Sequence, residues 1–171
     1  MRSLSGEPCQ PRALRNGCDR STAMQRRCAT SSAPGSVCKA GHAARSFLAR
    51  LRLGPASNTV LGHTDPNLAN YLWLANYLWD GQRIRIVDFE DAGQSDREFE
   101  LADLLEHLSA RRADWTGFLT LFDLDGDRLL DARRLYAIFW LHQLRPGSPT
   151  ERRNPPGTLG QQAERLLDLL N

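Results

Sequence analysis

The sequence predicts an α+β domain with most of its mass in helices. Three observations predict it. A short strand–turn–strand pattern occupies residues 77–87. Apolar residues recur at helical spacing in nearly everything that follows residue 95. The first 45 residues show neither period, and they are rich in Arg, Ser, Ala, Cys, Pro and Gly.

Residues 1–45 are expected to be a disordered, basic leader. Its Arg- and Ser-rich, acid-poor composition is also that of organelle transit peptides, but it has no clear amphipathic face. Order is expected to begin near His42, with a domain over residues 46–171. Residues 43–53, AARSFLARLRL, read as a short helix with Phe47, Leu48 and Leu51 on one face, stopped by Gly54-Pro55. Val60 and Leu61 lead into Gly-His-Thr-Asp-Pro, within a loop expected over residues 61–70. A hairpin is expected over residues 71–88. Tyr77-Leu78-Trp79 and Arg83 to Val87 are its strands, and Asp80-Gly81 is a type I′ turn signal. Ile84 and Ile86 alternate with Arg83 and Arg85, which predicts one buried and one wet face.

Helices are expected across residues 96–171. Ser95 with Glu98 reads as a capping box. Phe99, Leu101, Ala102, Leu104, Leu105 and Leu108 then follow at helical spacing. A second helix is expected from Asp114 to Phe122, and a third from Asp131 to Leu144, ended by Pro146-Gly147. A last one is expected from Leu159 to Leu170, after the loop Asn154-Pro155-Pro156-Gly157. Asp123, Asp125, Asp127 and Asp131 are spaced wrongly for a calcium loop. They read as a polar turn in which Asp131 caps the next helix. Arg111-Arg112, Arg133-Arg134 and Arg152-Arg153 read as solvated surface. Trp115, Tyr136 and Trp140 read as core or interface.

Charge is unevenly distributed. Residues 1–45 carry eight Lys/Arg against two acids, and residues 46–171 carry fourteen Arg against eighteen acids. The net charge is +2 and gives no argument for nucleic-acid binding. No apolar run approaches the ~20 residues that span a bilayer, so no membrane partner is expected. Cys9, Cys18, Cys28 and Cys38 lie too far apart for paired zinc ligands. No apolar signal region precedes them, and free thiols in a reduced cytoplasm are expected.

The chemistry concentrates around the hairpin. His63, Asp65 and Asn70 precede it, and Asp88 and Glu90 follow its second strand. A hairpin brings its two ends together. The four groups Asp65, Asn70, Asp88 and Glu90 would then form an oxygen-rich cluster of the kind that suits Mg²⁺. Mg²⁺ held by one or two such groups commonly serves a phosphate-bearing substrate, and a further Asp can orient an attacking hydroxyl. Taken singly, His63 is a packed histidine, Asp65 a turn residue before proline, and Asp88 and Glu90 a solvated strand end.

Two stretches, LGHTDPNLAN and IRIVDFEDAG, resemble the aminoglycoside phosphotransferases and choline kinases, which have the protein-kinase-like fold. The resemblance covers residues 58–171. His63, Asp65 and Asn70 match the family's His-x-Asp-x-x-x-x-Asn loop. Val87, Asp88, Phe89 and Glu90 match its metal-binding stretch. The resemblance implies the C-terminal lobe of that fold and Mg²⁺-dependent transfer of a γ-phosphoryl group from ATP or GTP to a small-molecule hydroxyl. The acceptor would be aminoglycoside-like or choline-like. Asp65 would be the catalytic base or orienter, and His63 would brace the loop. Asn70 and Asp88 would hold the metal on the nucleotide, with Glu90 assisting.

The sequence departs from the family pattern in three places. The hexapeptide Leu-Ala-Asn-Tyr-Leu-Trp occurs twice in tandem over residues 68–79. Spacing from Asp65 selects Asn70 as the metal ligand, whereas spacing to Asp88 selects Asn76. The tight Asp-Pro-Asn-Leu-Ala-Asn turn favours Asn70. Glu100 stands where the family usually has Asp, beneath the catalytic loop. Residues 1–57 contain no glycine-rich loop and no lysine in a strand-like context, so the N-terminal lobe is expected to be missing. The alternative reading is an inactive binding module or degenerate fragment of such a kinase, self-associating through the face where that lobe would dock.

Overall fold

Alanines supply most of the buried side chains where the first, fourth and last helices meet. A computed structural model describes residues 35–56, 58–64, 77–79, 81–82, 84–86, 90 and 92–171. Its elements are α1 (Gly35–Arg50), β1 (Thr59–Gly62), β2 (Tyr77–Trp79), β3 (Ile84–Ile86), β4 (Gly93–Asp96), α2 (Arg97–Glu106), α3 (Thr116–Leu119), α4 (Gly126–Gln143), α5 (Pro149–Arg153) and α6 (Thr158–Leu170). The core gathers Ala40 and Ala44 of α1, Ala137 of α4, and Ala163, Leu166 and Leu169 of α6. Small side chains let three backbones approach closely, and the leucines fill the space between them. Val37, Leu130, Ile138 and Leu141 close the rim.

The first helix differs from expectation. It starts at Gly35, inside the stretch read as leader. Its buried stripe is Ala40 and Ala44, while Leu48 is 45% exposed. Pattern reading favours large apolar residues, but this interface is built on small ones. The expectation for residues 1–34 lies outside the described residues.

Two antiparallel pairs make up the β structure. The hairpin forms as predicted, with Tyr77 opposite Ile86 and Trp79 opposite Ile84. That register leaves residues 80–83 between the strands. Gly81 has φ +94°, and the rest of the expected Asp80-Gly81 turn lies outside the described residues. The expected burial of one hairpin face concerns side chains outside the described set. The second pair, β1 with β4, was not legible. It sets Thr59 opposite Asp96 and Gly62 opposite Gly93. Gly93-Gln94-Ser95 has almost no strand propensity, and tertiary pairing overrides that.

Helix caps also shift. Asp96, not Ser95, caps α2, its Oδ1 accepting the Phe99 N–H at 2.9 Å. Asp125, not Asp131, caps α4, accepting the Arg128 N–H at 3.0 Å. Asp131 lies within the helix and pairs with Arg134 at 2.9 Å. Arg128 then ties the two caps together. Its Nε and Nη2 reach Asp96 Oδ2 at 3.1 and 2.6 Å, and its Nη1 donates to the Gly54 carbonyl at 2.9 Å. Burial alone would raise the Asp96 carboxyl, but the bonds from Arg128 and Phe99 and the charge of Arg128 outweigh it and hold it below its ordinary value. The second helix is shorter than expected, only Thr116–Leu119. The last begins at Thr158, one residue before the expected start.

Two polar side chains buried at the helix junctions, Glu106 and Gln162, have partners from neighbouring segments. The Glu106 side chain, fully buried, takes Arg165 through two bonds of 2.9 and 2.8 Å and Arg133 at 2.7 Å. One carboxylate thus joins α2, α4 and α6. Gln162 is also fully buried, with Nε2 donating to the Ala137 carbonyl at 2.9 Å and Oε1 accepting from Arg111 at 2.6 Å. Arg111 and Arg133 are therefore structural, not solvated as expected, while Arg152 and Arg153 are exposed. Trp115, Tyr136 and Trp140 are half-buried, and Trp140 meets His107 edge-on at 4.9 Å. Among the described residues, no helix is long and apolar enough to cross a membrane.

Candidate active site

The register of β1 with β4 governs the geometry. Because Gly62 faces Gly93, the chain that leaves β1 at His63 comes back through Ala92 at the same end of the ladder. The two motifs read from the sequence flank that end. His63 and Thr64 belong to one flank and Glu90 to the other.

Glu100, one turn into α2, anchors the first flank. Its Oε2 accepts the backbone N–H of His63 at 3.0 Å. Glutamate in place of the expected aspartate thus still reaches the loop, and the geometry shows how its extra methylene is accommodated. Gly62 is buried, and a Cβ there would fall inside the Glu100 carboxylate and 2.7 Å from the Ser95 Cβ. The space an ordinary side chain would fill is taken by the longer acid. Glu100 Oε1 is buried without a hydrogen-bond partner among the described residues. Behind it, Tyr136 has its hydroxyl pushed well above the ordinary tyrosine range by burial, then by the charges of Asp103, Glu100 and Asp96. That phenol is neutral at every ordinary pH and places no further charge on Glu100.

Thr64 follows in the left-handed region, at φ +62°. A β-branched residue there costs about 1–2 kcal/mol. Such strain persists only where neighbouring contacts hold the backbone, and the grip of Glu100 on the preceding peptide is one such contact. Neither the clearance at Gly62 nor the strained backbone at Thr64 was read from the sequence. The signal for the first was available: a glycine directly before a loop marks a close approach of backbone.

The predicted site residues divide between described and undescribed. His63 is half-buried with its peptide fixed by Glu100, and Glu90 stands exposed in a turn. Asp65, Asn70, Asn76 and Asp88 lie outside the described residues, and so does the choice between the two asparagines. Among the described residues no group of three or more His, Cys, Asp or Glu side chains could hold a metal. Of the ligands expected for Mg²⁺, only Glu90 is among them.

Comparison with known families now adds to this geometry. The family model of the phosphotransferase enzyme family matches residues 3–139. That is most of the chain, and the chain belongs to this family. The match reaches further forward than the resemblance over residues 58–171 and stops within α4. No curated protein and no solved structure matches the chain.

Proposed function

We propose that the protein takes part in Mg²⁺-dependent transfer of a γ-phosphoryl group from ATP or GTP to the hydroxyl of a small, aminoglycoside-like or choline-like molecule. The observation that carries this reading is membership of the phosphotransferase family over residues 3–139. The order of the two motifs around the hairpin and the return of the chain at Gly62 and Gly93 support it.

In this reading the described part is the C-terminal lobe of a kinase-like fold. Asp65 orients the acceptor hydroxyl, two residues after the His63 N–H that Glu100 holds in place. Asn70 and Asp88 hold Mg²⁺ against the nucleotide phosphates, and Glu90 assists. The metal neutralises charge on the phosphates, and positioning by the chain supplies the rest of the catalysis. His63 braces the loop through its backbone and takes no proton.

The test is Mg²⁺-dependent nucleotide turnover with a panel of aminoglycoside and amino-alcohol acceptors, run beside Asp65→Ala. The expected loss on removing Asp65 is about 100-fold or more in kcat. Turnover that survives the substitution would remove the assigned mechanism. Failure to bind any nucleotide would instead favour the inactive module.

A further inference from the structure

A second cluster of charge lies at the junction of the turn after α2 with the first turns of α6. Arg111 and Arg112 are consecutive in that turn, and both reach across to α6. Arg111 Nη1 donates to Gln162 Oε1 at 2.6 Å, and its Nη2 lies 3.4 Å from Gln161 Oε1. Arg112 Nη2 approaches the same Gln161 oxygen at 3.5 Å. Two guanidinium groups therefore converge on one neutral amide oxygen, both at the long end of hydrogen-bond distance. Arg165, one turn further along α6, completes an open cleft of about 170 Å³ lined by Arg111, Arg112, Gln161 and Arg165.

Among the described residues, the carboxylates that act on Arg111 and Arg165 are Glu106 and Asp168. Glu106 is shared between Arg133 and Arg165, and Asp168 adds its charge near Arg165. The three arginines of the cleft therefore share Glu106 with Arg133, with Asp168 beside Arg165. At Arg111, burial, then the neighbouring charges of Arg112 and Arg165, lower the proton affinity, and Glu106 only partly offsets them. The structural duties of the cluster fall on Arg111 and Arg165, which hold Gln162 and Glu106. Arg112 is exposed, and its described contact is the long one to Gln161. An anion with several oxygens would satisfy Arg111 and Arg112 better than one amide oxygen does, since a guanidinium fork matches two oxygens of a phosphate.

We propose that this cleft binds the dianionic phosphate group of a small ligand, with Arg111, Arg112 and Arg165 as its cations and Gln161 as the group displaced. The inference does not rest on the phosphotransfer reading.

Thermal unfolding of the full chain tests it at constant ionic strength, with sodium chloride exchanged for inorganic phosphate or for glycerol phosphate. Saturable stabilisation in the millimolar range is expected for the wild type. A stronger response to glycerol phosphate identifies a phosphomonoester as the ligand, and an equal one identifies free phosphate. Arg112→Gln should fold normally by circular dichroism and weaken the response by about tenfold or more. Gln161→Glu, which places a carboxylate between the two guanidiniums, should raise the melting temperature without anion and remove the response. The proposal is overturned by an unsaturable response in the wild type, or by an undiminished one in Arg112→Gln. The second outcome would locate any phosphate binding elsewhere in the chain.

Discussion

The helical body and the strand-and-loop segment are held in different ways. In the body, α1, α4 and α6 share an alanine-lined core, and α2, α4 and α6 meet on the single carboxylate of Glu106. Each of these contacts is supported by others from a different helix. In the described part of the loop, the features that fix position include the β1–β4 register, the bond from His63 N–H to Glu100, and the left-handed turn at Thr64. The body therefore holds stability, and the loop holds a geometry that α2 supports from one side. A change in the body should be read as unfolding, whereas a change at the loop should be read as misplacement.

The largest effect is expected at Glu106. Glu106→Ala leaves the half-buried Arg133 and Arg165 without their shared partner and empties a fully buried position, at a cost of about 2–4 kcal/mol. Denaturant unfolding measures it. A cost near zero would mean that the three-helix junction is held by apolar packing alone. Glu106→Gln, which keeps part of the hydrogen bonding, should cost less.

A smaller effect is expected at the loop. Gly62→Ala drives a methyl group into the Glu100 carboxylate, and such overpacking costs about 1–3 kcal/mol. Its distinguishing feature is rescue. Glu100→Asp withdraws the carboxylate by one methylene, so the double variant Gly62→Ala/Glu100→Asp should be more stable than the sum of its two single changes predicts. If the chain turns over nucleotide, Gly62→Ala should lower kcat by more than its stability loss explains. Simple additivity would show that the two residues do not share the space the geometry assigns them.

The smallest effect joins the two regions. Asp96 ends β4, caps α2 and pairs with Arg128 of α4. Asp96→Asn keeps the cap and loses the charge pair, at a cost of about 1–2 kcal/mol at neutral pH. The sign of its pH dependence follows from the depressed folded-state pKa. The unfolded carboxyl titrates at its ordinary value near 3.8, and the folded one titrates lower. The stabilisation is therefore fully present above 3.8 and is lost as pH falls through the folded value. Acid unfolding of the wild type should be steeper below pH 3.8 than that of Asp96→Asn, and parallel curves would assign the pair no linked stability.

Much of the fold could be read from local pattern. The helical period from Phe99 to Leu105, the stop at Pro146-Gly147 and the last helix all stand where the residues place them. These features depend on neighbours within a few positions, so a one-dimensional reading reaches them. The caps show where such reading fails. Ser95 and Glu98 have capping-box spacing, yet Asp96 caps the helix, because Arg128, 32 residues away, fixes its carboxylate there. Asp131 looked like a cap and is mid-helix, because Asp125 starts α4 six residues earlier. The burial of Glu98, Asp103 and Glu106 on one helix runs against hydropathy altogether. Arginines from distant segments make the burial of Glu106 affordable.

From its residues alone the chain determined its family, its short hairpin and most of its helical stretches, since each is carried by identity or short-range spacing. Only tertiary structure decided that β1 pairs with β4, that alanines rather than leucines set the first helix's contact, and that Gly62 clears room for Glu100 beneath the His63 peptide. Those outcomes join segments about 30 residues or more apart. The physical reason is that pairing, close approach and charge compensation are properties of what two distant segments present to each other, and neither segment encodes them by itself.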